Sequence, residues 1–240
     1  MLKQRTFVHQ NIKYDFNWNL DNHKNKLFQV NSNLEEFKRL GKYLKEIYKS
    51  GVPSNLFNKR DVPRISQFKI KGLKSSFLRS FSKKLILNNV IQRSDGDSKL
   101  PNFAQSVYKS FRENQMNKNP GHEPILKNIL IKDKDSIAIE IPIWMKNKEN
   151  NFITGHIDLI QIQGNTIKVI DYKPEGEFLF SLPQVATYGI LIKKLLNLDS
   201  IKCISFNKSI AWEYDPLILI SDIKNFLTLN KINRPWEEFL

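Results

Sequence analysis

The stretch FITGHIDLIQIQGNTIKVIDYK, residues 152–173, constrains this chain more than any other. Gly164-Asn165 is a favoured two-residue hairpin turn between two apolar, β-branched runs. So short a loop leaves no freedom of register. Gln163 faces Thr166, Ile162 faces Ile167, and Ile160 faces Val169. By the same count Asp158 opposes Asp171, and His156 opposes Lys173. Alternation then puts all of these except the turn-flanking pair on one face, which runs from isoleucines into carboxylates and a His–Lys pair.

Like charges placed directly opposite one another are destabilising, and two carboxylates in contact resist ionising together. A divalent cation between them is the simple resolution. Mg²⁺ is typically held by one or two carboxylates plus waters and phosphate oxygens. With the Lys173 amine one step further on, this is the arrangement that metal-assisted phosphodiester hydrolysis requires. The plainer reading is an Asp171–Lys173 ion pair at a solvated strand end, with Asp158 a turn residue.

The helical pattern after the hairpin, SLPQVATYGILIKKLLNL, puts Gln184 and Tyr188 four apart on one face. Ser181 and Gln184 also have capping-box spacing, and Tyr188 suits an ordinary core position. The functional alternative is a face that looks back over the strand ends. SIAIEIPIW, residues 136–144, alternates with period two and predicts a strand with Ile137, Ile139, Ile141 and Ile143 on one side. If Trp144 pairs with Phe152, Glu140 shares the face of Asp158 and comes close to His156.

Upstream, NSNLEEFKRLGKYLKEIYKSG predicts a helix with Leu34, Phe37, Leu40, Leu44, Ile47 and Tyr48 as its apolar stripe and a Ser32/Glu35 capping box. Residues 1–31 alternate loosely, as strands do. Residues 52–71 read as irregular, 72–90 and 102–116 as helices, and the segment around Asn119, Pro120 and Gly121 as a loop. The turn-rich QRSDGDSKLPN, residues 92–102, divides a mainly helical N-terminal region, 1–100, from a core over 101–240. Strands at SIKCISF and SIAWEY and a closing helix at PLILISDIKNFLTL complete an α/β chain with a central mixed sheet flanked by helices.

Charge enters here. The chain carries 38 Lys and Arg against 24 Asp and Glu, a formal +14. That excess suits a polyanion, although heavy Lys, Asn and Ile usage also makes ordinary proteins basic. Lys59, Arg60, Arg64, Lys69, Lys71, Lys74, Arg79, Lys83 and Lys84 are interrupted by one acid, Asp61, which reads as a phosphate-binding surface or as a solvated helix face. A single cysteine, Cys203, excludes an internal disulfide and a four-cysteine zinc or iron–sulfur site. No apolar leader opens the chain, and apolar runs such as LILI fall far short of the roughly 20 residues that span a bilayer. An intracellular protein without a membrane partner is expected.

GHID (155–158), DYK (171–173) and QVATY (184–188) together resemble the GxxD, (D/E)xK and QxxxY motifs of RecB-like nucleases in the PD-(D/E)XK superfamily, in order and in spacing. The resemblance covers about 137–205. It implies a restriction-endonuclease-like core, dependence on Mg²⁺ or Mn²⁺, and hydrolysis of DNA, with a helicase or other DNA-processing protein as a further partner. Asp158 and Asp171 take the metal-ligand roles, with the backbone carbonyl of Tyr172 an added ligand. Lys173 takes the catalytic role, Gln184 and Tyr188 the supporting ones. The family carries an acid, sometimes a His, on an upstream helix. Glu113 is the first choice for it and Glu123 the reserve, and Glu140 is a further ligand candidate on its strand. His156 and the bases from Lys59 to Arg79 would meet nucleic acid. The alternative is a nuclease-fold subunit with weak or no catalysis that binds nucleic acid or scaffolds a larger complex.

Overall fold

The computed structural model describes residues 1–29, 34–174 and 178–240. In chain order its elements are β1 (Leu2–His9), β2 (Ile12–Asn19), α1 (Leu20–Gln29), α2 (Leu34–Ser50), α3 (Ser54–Phe57), α4 (Ser75–Leu87) and β3 (Ile91–Ser94). Then follow α5 (Lys99–Glu113), α6 (His122–Lys132), β4 (Ser136–Lys146), β5 (Phe152–Gln163), β6 (Thr166–Tyr172), α7 (Phe178–Leu196), β7 (Lys202–Phe206), β8 (Ala211–Tyr214) and α8 (Asp222–Leu229). The strands form one mixed sheet of eight, ordered β1-β2-β4-β5-β6-β7-β8-β3. Among the described strands only β6 and β7 pair in parallel, and α7 makes the crossover that a parallel pair needs.

Helices cover both faces. On one, α7 is buried almost all round, and α2 and α4 add Leu40, Leu44, Leu78 and Leu85 to its core. On the other, Ala104 and Val107 of α5 and Ile125, Leu126 and Ile129 of α6 pack on Leu159, Ile170 and Phe206 of the sheet. The expected stripe of α2 is borne out, with Phe37, Leu40, Leu44 and Ile47 buried. Its expected cap, Ser32, lies outside the described residues.

Two expectations need correction, and one element is new. The N-terminal hundred residues do not stand apart: β1 and β2 extend one edge of the sheet and β3 forms the other. Residues 20–29 are the helix α1, not strand, because Trp18 Nε1 and the Phe37 carbonyl grip its buried His23. The helix α6 was not expected, although its Ile125, Leu126, Ile129 and Leu130 recur with helical period.

The parallel crossover depends on close approach. A Cβ on Gly189 of α7 would stand 2.5 Å from Cys203 Sγ in β7 and 2.9 Å from Pro216 Cβ. Gly189→Ala gains about 1 kcal/mol of helix propensity but overpacks the core at a cost of about 1–3 kcal/mol. A net loss in urea unfolding is expected, and the Gly189→Ala/Cys203→Ala double variant is expected to lose less than the sum of the two single losses.

Candidate active site

The hairpin register holds where the expectation places it, from Gln163–Thr166 to Leu159–Ile170. There the two strands part. β6 goes on pairing with β7 as far as Tyr172–Phe206, whereas β5 meets the incoming segment 63–64 through Thr154 N–H to the Pro63 carbonyl at 3.1 Å. Asp158 and Asp171 therefore stand at a fork rather than as a ladder pair. The Asp158 carboxylate takes over from the missing strand, accepting the Tyr172 N–H at 2.9 Å.

The fork also breaks the alternation on which the one-face expectation rested. Ile157 packs in the same core as Ile160 and Ile162, so the inward face changes phase at Asp158. On β4, Ile139 packs in the opposite layer from Ile137, Ile141 and Ile143. The break is a left-handed backbone at Glu140, whose φ is +51°, in a ladder whose register runs unshifted through it. A left-handed backbone at a non-glycine residue costs of order 1 kcal/mol or more, and such strain clusters at functional sites. The ladder here runs Trp144–Thr154, not Trp144–Phe152, and Ile139–Leu159 and Ile141–Ile157 flank Glu140 in one unbroken register, the irregular step lying earlier, between Ser136 and Ala138. Glu140 thus stands across from Asp158, not beside His156.

His156 is the clearest correction. It is 6 % exposed, its Nε2 lies 3.0 Å from His9 Nδ1, and Tyr14 stacks on its ring at 4.0 Å. Burial, then the neighbouring His9, pushes its pKa well below the usual value. A neutral core imidazole neither neighbours Lys173 nor binds phosphate. Arg64 is likewise committed: half-buried, it donates to Tyr14 Oη at 2.6 Å. Lys59 pairs with Asp61 at 3.0 Å, while Arg60, Lys69, Lys71, Lys74 and Arg79 are exposed. Glu113 is exposed on the last turn of α5 and its ion pair is with Lys109 at 3.8 Å. Glu123 is exposed and pairs with Lys127 at 2.6 Å, though its charge is felt at Glu140.

What the structure does bring together is compact. Asp171 is 1 % exposed, its Oδ2 2.7 Å from Lys173 Nζ. Lys173 donates to Gln184 Oε1 at 3.1 Å, and Gln184 Nε2 reaches back to Asp171 Oδ1 at 3.4 Å. Gln184 is held a full turn inside α7, so it serves as a bridge and not as a helix cap. Tyr188, one turn on, lies against Gly155: a Cβ there would come within 2.6 Å of its ring. The glycine of GHID and the tyrosine of QVATY are thus one packing contact. The Tyr172 side chain turns to the opposite layer, where its hydroxyl meets Tyr108 at 3.0 Å.

His122, at the start of α6, is the member that sequence reasoning missed. Its Nδ1 is 3.3 Å from Asp158 Oδ2, and that contact raises its pKa against the opposing effect of burial. The signal was the Gly121-His122-Glu123 helix start, whose Glu123 was weighed and whose His122 was not. Electrostatics mark the same centre. Burial, then Asp158, pushes Asp171 up to about 7 despite Lys173. Burial, then Asp158, pushes Glu140 up to about 8. At Lys173 burial lowers the pKa, but Asp171 and Asp158 outweigh it and the net shift is upward.

No protein-family model matches the chain, and no curated protein matches it. No helix among the described residues is long and apolar enough to cross a membrane.

Asp171 and Glu140, each pushed up by burial and then by Asp158, gather with that acid as hard oxygen donors around a negative focus, which suits Mg²⁺ or Mn²⁺ in chemistry. Among the described residues no three His, Cys, Asp or Glu side chains stand ready as a ligand set, and Lys173 serves as the counter-ion of Asp171. The linkage at Glu140 can be measured without a metal. Its carboxyl is protonated in the fold up to about 8 but ionises near 4.5 in the open chain, so stability falls as pH rises between those values. The stability advantage of Glu140→Gln over the parent is expected to grow across that window by up to about 1.4 kcal/mol per pH unit, read by urea unfolding in EDTA.

Proposed function

We propose that the chain is a metal-dependent DNA nuclease with a RecB-like core of the PD-(D/E)XK type. One observation carries the reading. The three motifs that resemble that family come from two strands and a helix, and in the folded chain they meet at one fork: Asp158, Asp171–Lys173–Gln184, and Tyr188 on Gly155. An ion pair at a solvated strand end would need neither the burial of Asp171 nor the bridging Gln184.

Each side chain has a task in phosphodiester hydrolysis. Asp158, Asp171 and Glu140 would hold Mg²⁺ or Mn²⁺, which supplies positive charge beside the scissile phosphate. The Tyr172 N–H and His122 orient Asp158. Gln184 orients both Asp171 and Lys173, and Tyr188 packed on Gly155 limits the movement of its helix. Lys173, held as an ammonium, places a proton donor and a positive charge where a phosphate oxygen or an attacking water must sit. In this reading His122 takes the upstream-helix position that Glu113 was expected to fill.

Cleavage of labelled DNA with Mg²⁺ or Mn²⁺ tests the reading. Asp171→Ala and Lys173→Ala are each expected to lower the rate by at least about 100-fold, in line with removal of an electrostatic catalytic group. Unchanged cleavage by both variants would falsify the mechanism. If the parent chain binds DNA but does not cleave it, and calorimetry with Mn²⁺ shows no stoichiometric uptake, the non-catalytic scaffold reading replaces it.

The upstream assignment has its own check. His122→Ala is expected to slow cleavage by about tenfold or more, while Glu113→Ala does not slow it, as expected for groups that do and do not touch Asp158. The reverse pattern would restore the original choice.

A further inference from the structure

A cleft at the same end of the sheet has no role in the reading above. It measures about 730 Å³ and opens between α5 and the β7–β8 turn, with Gln105, Tyr108, Lys109, Arg112, Lys208 and Ser209 in its walls. Gln105 Nε2 donates to the Lys208 carbonyl at 2.8 Å, which fastens the turn to the helix. The Lys208 ammonium sits 4.9 Å over the Tyr108 ring, and Arg112 Nε reaches the Tyr108 carbonyl at 3.5 Å. Glu113 also lines the cleft but is paired with Lys109. Among the described residues neither Arg112 nor Lys208 has a carboxylate partner, so both cations are free to meet an anion.

The cleft adjoins the carboxylates through a single wall. Tyr108 hydrogen-bonds Tyr172 at 3.0 Å, the Tyr172 N–H binds Asp158, and the ring of His122 packs edge-on against Tyr172 at 5.3 Å. We infer that this cleft is the track of one DNA strand beside the scissile phosphate, with Arg112 and Lys208 each taking a backbone phosphate. This rests on the nuclease reading of the neighbouring site. The volume, about 730 Å³, lies in the range of about 300–1,000 Å³ typical of ligand clefts, enough to seat the backbone of a single strand against the two cations. General basicity does not account for it. The bases from Lys69 to Lys84 are spread over exposed surface, whereas Arg112 and Lys208, also exposed, line one concavity from its two sides, the helix α5 and the turn fastened to it.

The test is fluorescence anisotropy with a labelled single-stranded DNA of about 12 nucleotides, in EDTA so that nothing is cleaved. Arg112→Ala/Lys208→Ala is expected to weaken binding about tenfold and to flatten the log–log salt dependence by about 1.4, two phosphates at about 0.7 each. Arg112→Lys/Lys208→Arg is expected to keep most of the affinity. The charge-matched control Lys132→Ala/Lys134→Ala, at the other end of α6, is expected to match the parent. Unchanged affinity and slope in the cleft variant, or an equal loss in the control, overturns the inference. Tighter binding of an RNA strand, or of a duplex, overturns the assignment to single-stranded DNA. Because binding is read without cleavage, failure of Asp171→Ala and Lys173→Ala to slow cleavage would remove the nuclease reading while leaving this result to stand on its own.

Discussion

The parting of β5 from β6 at Asp158 is the constraint on which the rest of the site depends. Every backbone donor in a buried sheet needs a partner, and a ladder that ends early leaves some unpaired. Here the Asp158 carboxylate takes the Tyr172 N–H and the segment 63–64 takes the Thr154 N–H. The fork is therefore paid for in hydrogen bonds. In the middle of an eight-stranded sheet it gathers the charges of Asp171, Glu140 and Lys173 around Asp158, which is felt at all three.

Burying that charge sets the demands on the neighbouring elements. A lone carboxylate in the interior costs several kcal/mol unless it is paired and hydrogen-bonded. Asp171 meets this with Lys173 and Gln184, and Gln184 can reach it only because α7 lies close to the sheet at Gly155 and Gly189. Two glycines without obvious local roles are thereby tied to the chemistry. The left-handed backbone at Glu140 belongs to the same logic: it takes a strand residue out of the alternating pattern, while the register of β4 on β5 sets this third acid opposite Asp158.

Much of the centre was legible because it is local. The Gly164-Asn165 turn dictates register for as long as the ladder lasts, and the pairs from Gln163–Thr166 to Leu159–Ile170 follow it. The QVATY face follows from helical period alone, and Gln184 and Tyr188 do look back on the strand ends. His156 was misread because alternation was carried through the point where the strands part. Glu113 was preferred because it is an acid on an upstream helix, a pattern that says nothing about where the helix ends lie in space. The bases from Lys59 to Arg79 could be counted, but their commitments, such as Arg64 on Tyr14, could not.

By itself, then, the chain's order of residues determined the hairpin, its turn and the helix that follows. These depend on neighbours in sequence and on fixed periods of two and 3.6. Tertiary structure alone decided which acids meet, that His122 and not Glu113 touches Asp158, that His156 is a core residue, and that the first hundred residues build both edges of the sheet. Those outcomes turn on a left-handed backbone at Glu140, a fork and the docking of α6, each set by hydrogen bonds and packing between segments far apart in the chain. No local propensity records such contacts.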